Sequence, residues 1–182
     1  MEILSSLSLA FSVCGADLDE SLIEGEPVGQ TVNRLALAKA TKASQSERSS
    51  LVIGADTLVS LEGRLLGKPA NHDEALAMLS SLNGKTHEVF TGVAFVKNDE
   101  RISEVVQCRS SVTFKQVPVG VLEKYVSTGE PFGKAGAYAI QGGGAKLVER
   151  FDGSFTNIVG LPVTELLRFL MKFGADRLEW SI

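Results

Sequence analysis

The sequence VIGADTLVSLEGRLLGKP, residues 52–69, joins an apolar run to a single aspartate, a turn, and a lysine that lies between glycine and proline. The run LVIGA, residues 51–55, predicts a short buried strand. The residues after Asp56 predict an extended chain that enters a hairpin at Glu62 and Gly63. Asp56 would then emerge at the carboxyl end of a strand, where open α/β sheets place ligand crevices. An aspartate in this position can instead cap a turn, so both interpretations stay open.

Apolar periodicity and turn residues divide the rest of the chain into helices and strands. Helical spacing predicts helices at residues 2–9, 27–43, 71–82 and 118–127, and another after Pro162. Strand patterns cover residues 11–15, 86–96, 103–114 and 146–151. We find no internal repeat and no linker, so residues 1–182 are predicted to form a single domain. The expected class is α/β (mixed α+β), with helices that flank a mixed sheet.

Two of these helices carry specific signals. Asn71 followed by Glu74 is typical of a helix start, and Gly84 stands where a C-terminal cap belongs. The last helix shows helical periodicity in its apolar residues, which are Leu166, Leu167, Leu170 and Met171. Both helices are therefore expected to pack one face against the sheet.

Composition limits the kinds of protein this can be. The chain has 182 residues, 44% of them hydrophobic and 22% charged, as in ordinary globular proteins. A net charge of -4 argues against a broad cationic face for nucleic acid. No stretch approaches the ~20 apolar residues that cross a bilayer, and Glu2 stands where a signal peptide carries basic residues. The two cysteines suggest no disulfide framework, so a cytoplasmic location is expected.

Two lysines are candidates for binding phosphate. Lys68 is held between Gly67 and Pro69, although a solvated turn lysine is an equally simple interpretation. Lys39 lies in the apolar segment LALAKA, residues 35–40, so either its stem passes over apolar surface or its ammonium faces a site. The segment GRLLGKP is not a P-loop, because proline replaces the serine or threonine that would meet Mg²⁺.

An acidic loop and a glycine-rich segment complete the set of candidates. The loop ADLDESLIEGEP, residues 16–27, contains Asp17, Asp19 and Glu20, and one of these acids together with Asp56 would suffice for Mg²⁺. The alternative is a loop that is merely solvated. In KAGAYAIQGGGA, residues 134–145, the Gln141 amide could read a nucleobase edge while residues 142–144 let the backbone approach a ligand. A tight connection is the alternative.

Five blocks in consistent order resemble one family. These are GADT, GKP, LSSLNGKTHEVFTGVA, YVSTGEPFGKAGAYAIQG and GSFTNIVGLP, and they closely resemble the Maf-like nucleoside triphosphate pyrophosphatases. The resemblance runs from about Glu2 to Phe169. It implies an elongated mixed α/β fold with a central cleft, like that of the inosine triphosphatases. It also implies a cytoplasmic enzyme that uses a divalent metal, Mg²⁺ or Mn²⁺, and that is often a homodimer.

The resemblance also implies roles for individual residues. Asp56 matches the proton acceptor, Lys39 and Lys68 match phosphate-binding lysines, and Glu20 matches an acid near the metal, which Asp56 would share. Thr57 and Gln141 match positions tied to substrate choice. GADT and AYAIQG look like the subgroup that acts on dTTP and UTP, whereas the subgroup that resembles 7-methyl-GTP hydrolases would show GSDQ. The implied reaction is attack by water on the α-phosphorus, which releases a monophosphate and pyrophosphate.

One part of the family pattern is not found. The family normally begins with a strand and the loop SxSPRR, whose serine and arginines bind phosphate, whereas this sequence begins at a later point. Lysine reproduces bidentate arginine contacts poorly, so loss of this loop would reduce activity. Two explanations stay open: the protein starts upstream of this sequence, or it is a stable shortened protein that binds nucleotides weakly or serves another role. The leading hypothesis is a pyrophosphatase for dTTP, UTP and modified relatives. The competing hypothesis is a catalytically weak nucleotide-binding protein or a regulator of cell division.

Overall fold

The computed structural model describes residues 2–7, 9–15, 17–46 and 49–172. Its sheet has five strands in the order β2-β1-β3-β4-β5. The strands are β1 (Val52–Leu61), β2 (Arg64–Leu66), β3 (Thr86–Lys97), β4 (Ile102–Phe114) and β5 (Val148–Asp152). The helices are α1 (Glu2–Ser6), α2 (Val28–Ser44), α3 (His72–Leu82), α4 (Val119–Val126), α5 (Phe155–Val159) and α6 (Val163–Lys172). Residues 173–182, which belong to the predicted domain, lie outside the described residues.

The predicted α/β class, with helices flanking a sheet, is confirmed. The four strand pairings of this sheet are all antiparallel, where a mixed sheet was expected. Two of these pairings, β1–β2 and β3–β4, are hairpins between consecutive strands, which are necessarily antiparallel. Among the described helices, none combines the length and the apolar composition that crossing a membrane would require.

Helix α2 packs unusually close to the sheet. A Cβ atom added to Gly54 of β1 would lie 2.4 Å from the carbonyl oxygen of Ala36, and one added to Gly92 of β3 would lie 2.5 Å from that of Val32. Both contacts are with helix backbone, so only glycine fits at these two positions. Two glycines on neighbouring strands therefore let α2 lie directly on the sheet.

A second set of elements builds the largest hydrophobic core. Leu79 and Leu82 of α3 and Leu122 of α4 pack in one cluster with residues of β1, β3 and β4. The predicted start of α3 is confirmed, since the Asn71 side chain accepts a hydrogen bond from the Glu74 backbone N–H at 2.9 Å. Gly84, two residues beyond α3, has φ +70°, but its N–H donates to the carbonyl of Lys115 at 3.3 Å and not to a carbonyl of α3, so the expected capping bond is not formed.

Two expectations from the sequence are wrong here, and one helix was missed. Residues 11–15 form no strand, and Phe11 and Val13 are exposed, because no described strand pairs with this segment. Met171 of α6 is exposed, whereas Leu166 and Phe169 form the buried face of that helix. Helix α5 was not predicted at all.

Candidate active site

Asp56 lies in the middle of a strand. It was expected at the carboxyl end of a short strand, but β1 continues to Leu61, and its pairing with β3 includes Asp56 opposite Gly92. The earlier prediction is wrong in this respect because the ladder with β3 carries the chain past the aspartate. On its other side β1 pairs with β2 only at Val59–Leu61, so the earlier part of β1 has no second described strand beside it. A cavity opens at this uncovered edge.

The cavity has a volume of about 330 Å³. It brings together five of the six residues that the sequence selected, and they come from β1, α2 and two loops. These residues are Lys39, Asp56, Thr57, Lys68 and Gln141. The sixth, Glu20, contacts the first of these lysines from the acidic loop. Five of the predicted candidates therefore line one cavity, and the sixth contacts a residue of that lining.

Lys39 joins the two carboxylates of the site. Its Nζ lies 2.6 Å from Oδ1 of Asp56 and 2.7 Å from Oε1 of Glu20, and Lys68 Nζ lies 4.0 Å from the other Glu20 oxygen. Burial opposes the charge of Lys39, but its hydrogen bonds to Asp56 and Glu20 outweigh that effect and raise its pKa. The hydrogen bond from Lys39 lowers the pKa of Glu20. The structure places the ammonium of Lys39 between two carboxylates and on the lining of the cavity, the position that the second interpretation of this lysine expects.

The acidic residues fit a hard divalent cation in combination with a substrate. Within the described ranges, no group of three or more histidine, cysteine, aspartate or glutamate side chains forms a metal site alone. Asp56 and Glu20 nevertheless share one ammonium, so their carboxylates are neighbours. Oδ2 of Asp56 is buried and has no hydrogen-bond partner among the described residues, which leaves its lone pairs available. Two carboxylates completed by phosphate oxygens match the usual ligand set of Mg²⁺.

A buried hydrogen-bond chain orients Thr57. Its Oγ1 lies 2.9 Å from Oγ1 of Thr91, which in turn donates to the backbone carbonyl of Asn157 at 3.0 Å. Because the Thr91 proton is used in that bond, Thr57 must donate to Thr91. The oxygen of Thr57 therefore keeps its lone pairs for hydrogen bonding towards the cavity.

Comparison with known proteins shows the family to which the chain belongs. The model of the family described as Maf-like protein matches residues 1–173. The chain belongs to the Maf-like family. The chain is similar to the dTTP/UTP pyrophosphatase of Moorella thermoacetica, with 45% identity over 96% of this chain and 90% of the relative. Proteins of the same name from Geobacter sulfurreducens and Myxococcus xanthus are 42% and 43% identical, over 96% and 98% of this chain and 92% and 89% of the relatives.

The site of this Maf-like chain contains a third lysine that the sequence reasoning missed. Lys134 lines the same cavity and is exposed. Its loop is tied to the loop of Lys68, because the Gly136 backbone N–H donates to the carbonyl of Gly67 at 3.0 Å. The signal was present, since Lys134 follows a glycine as Lys68 does. Three ammonium groups thus line or adjoin one opening, which suits a polyanion.

Proposed function

We propose that this protein is a nucleoside triphosphate pyrophosphatase that hydrolyses dTTP and UTP to the monophosphate and pyrophosphate. The observation that carries the proposal is the common cavity of Asp56, Lys39 and Lys68. One carboxylate beside several ammonium groups is suited to water attack on a triphosphate. The similar proteins from Moorella thermoacetica and Geobacter sulfurreducens are dTTP/UTP pyrophosphatases, which supports the same substrates here.

In the proposed reaction Asp56 is the general base. A water oxygen forms a bond to the α-phosphorus, and the proton that it loses passes to the Asp56 carboxylate. The bond from the α-phosphorus to the bridging oxygen breaks, and pyrophosphate leaves with that electron pair. Oδ2 of Asp56 has no hydrogen-bond partner among the described residues, so this oxygen is available for the proton.

The remaining residues bind and orient the nucleotide. Lys39 and Lys68 offset the charge of the phosphates, and Lys134 lies where it can assist them. A divalent cation, Mg²⁺ or Mn²⁺, held by Glu20 and Asp56 would draw charge from the phosphate oxygens. Thr57 offers an acceptor, and the Gln141 amide offers a donor and an acceptor, to the pyrimidine.

The test is pyrophosphate release by the Asp56→Asn variant. Removal of a preorganised catalytic group typically costs ~100-fold or more in turnover, so we expect at least that loss with dTTP and UTP in the presence of Mg²⁺ or Mn²⁺. Asp152→Asn changes an exposed carboxylate on edge strand β5 and is the matched control. Wild-type turnover by Asp56→Asn would refute the role of Asp56. Nucleotide binding without pyrophosphate release by the unmodified protein would favour the nucleotide-binding alternative instead.

The proposal also covers location and assembly. We propose that the protein is cytoplasmic, forms a homodimer and has no nucleic-acid partner. The low cysteine content supports the cytoplasmic location, and the net charge of -4 supports the lack of a nucleic-acid partner. Light scattering on the purified protein tests the homodimer, since a mass near 19.4 kDa would mean a monomer.

A further inference from the structure

Glu130 lies outside the cavity but holds the segment that carries Gln141. Its carboxylate accepts hydrogen bonds from the backbone N–H groups of Gly143 at 2.8 Å and Gly144 at 3.1 Å. It also accepts one from the hydroxyl of Tyr125 at 2.7 Å. Burial alone would raise the pKa of Glu130, but these donors outweigh it and lower the pKa, so the acceptor remains ionised at neutral pH.

Tyr125 extends this contact to the other side of Gln141. Its hydroxyl oxygen accepts a hydrogen bond from the backbone N–H of Ala139 at 3.0 Å. The chain from Ala139 through Tyr125 and Glu130 to Gly143 therefore brackets Gln141 on both sides. We call Tyr125 and Glu130 the clamp. Neither residue lines the cavity, whereas Ala139, Ile140 and Gln141 do.

The glycine run is shaped to fit the clamp. A Cβ atom at Gly142 would lie 2.5 Å from a carboxylate oxygen of Glu130, and one at Gly144 would lie 2.8 Å from the hydroxyl of Tyr125. A side chain at either glycine would therefore displace Glu130 or Tyr125 from its present position. The sequence suggested that these glycines let the backbone approach a ligand, but the structure shows them approaching Glu130 and Tyr125.

We infer that Glu130 and Tyr125 are positioning residues that set nucleotide affinity by fixing Gln141 against the cavity. This inference rests on the proposed function, because Gln141 is taken to contact the pyrimidine. The two residues act through the backbone on either side of Gln141 and do not line the cavity that Asp56 lines. Their loss should therefore weaken nucleotide binding far more than it slows the chemical step.

The experiment measures KM and kcat for dTTP and UTP in Glu130→Gln and Tyr125→Phe. Glu130→Gln keeps the side-chain size but removes the charge and brings an amide N–H₂ towards backbone N–H donors. We expect KM to rise about tenfold, as for the loss of one good hydrogen bond, while kcat changes less than threefold. Glu123→Gln, an exposed acid on α4, is the matched control and should leave both constants unchanged.

A second measurement isolates the route through Gln141. In a Gln141→Ala background, Glu130→Gln should cause no further rise in KM, because the group being positioned is gone. Binding of α,β-imido-dTTP, which resists cleavage at the reacting bond, should weaken about tenfold in the clamp variants and give the same result without turnover.

The outcomes separate the inference from the function on which it rests. Failure of the unmodified protein to release pyrophosphate would overturn the proposed function. An active protein whose clamp variants keep the original KM would overturn the inference alone, as would a further rise in KM in the Gln141→Ala background. If Glu130→Gln does not fold, Tyr125→Phe decides the matter by the same criteria.

Discussion

The close contact of α2 with the sheet predicts that alanine at Gly54 destabilises the protein. The added methyl group would lie 2.4 Å from the carbonyl oxygen of Ala36 and 2.7 Å from the backbone nitrogen of Ala40. Neither atom can rotate away, because both belong to the helix backbone. The helix must therefore move outwards, and it carries Lys39 away from Asp56 as it does so.

The size of the effect follows from two opposing contributions. Overpacking a well-filled contact costs about 1–3 kcal/mol. Replacing glycine in a strand recovers roughly 0.5–1 kcal/mol of backbone entropy. We expect the free energy of unfolding to fall by about 1–2 kcal/mol, which lowers Tm by roughly 5 °C in a protein of this size. Pyrophosphate release should fall as well, because the ion pair of Lys39 with Asp56 is stretched.

The same substitution elsewhere provides the control. Gly120 lies in α4, and a Cβ atom there would meet no heavy atom within 4 Å. At an exposed helix position alanine is more favourable than glycine by up to ~1 kcal/mol, so Gly120→Ala should stabilise the protein. Urea unfolding of both variants measures the change in the free energy of unfolding, which should be negative for Gly54→Ala and positive for Gly120→Ala. A Gly54→Ala variant as stable as the unmodified protein would refute the packing argument.

Two further predictions concern stability. Burial lowers the pKa of His87 from 6.5 to about 4, so its contribution to stability is complete above pH 6.5 and is lost as pH falls towards 4. When the pH falls from 7 to 4.5, the free energy of unfolding should therefore decrease by roughly 2 kcal/mol less in His87→Gln than in the unmodified protein. Equal decreases in the two proteins, measured by urea unfolding, would contradict this. Asn71→Ala should cost about 1 kcal/mol in the same assay by removing the cap of α3. Asn71→Asp keeps an acceptor oxygen and should cost much less.

Much of the fold could be predicted because local signals agreed with the final packing. Pro27 is the residue at the start of α2, and Asn71 caps α3, as their sequence context indicated. The long β3–β4 hairpin followed from two strand patterns joined by a short polar turn. Each of these features is fixed by residues that are close together in the chain.

The failures occurred where distant partners decide the structure. Asp56 looked like the end of a strand because aspartate and glycine are depleted in strands, yet pairing with β3 extends β1 through it. Helix α5 is too short to show helical periodicity. It depends on the Ser154 cap and on Asn157, whose Nδ2 donates to the carbonyl of Val89 at 3.1 Å. Residues close to α5 in the sequence do not predict such contacts.

In the candidate site, too, features fixed by nearby residues could be predicted and features fixed by distant residues could not. The residues that line the cavity could be selected from short motifs, because glycine, proline and charge stand together in GADT and GKP. The contact between Glu130 and the glycine run could not be selected, since it depends on how two loops meet. Lys134 was missed for a simpler reason, because the interpretation of residues 134–145 rested on Gln141 and the glycines and gave the lysine no role.

The position of Lys39 between Asp56 and Glu20 couples the binding of the nucleotide to the binding of the divalent cation. A nucleotide that recruits this ammonium leaves two neighbouring carboxylates without their counter-charge, and a divalent cation is what best replaces it. A cation that takes the carboxylates likewise frees the ammonium for phosphate. Each component should therefore tighten binding of the other by the same factor, and a chelator should weaken nucleotide binding itself, before any question of turnover arises.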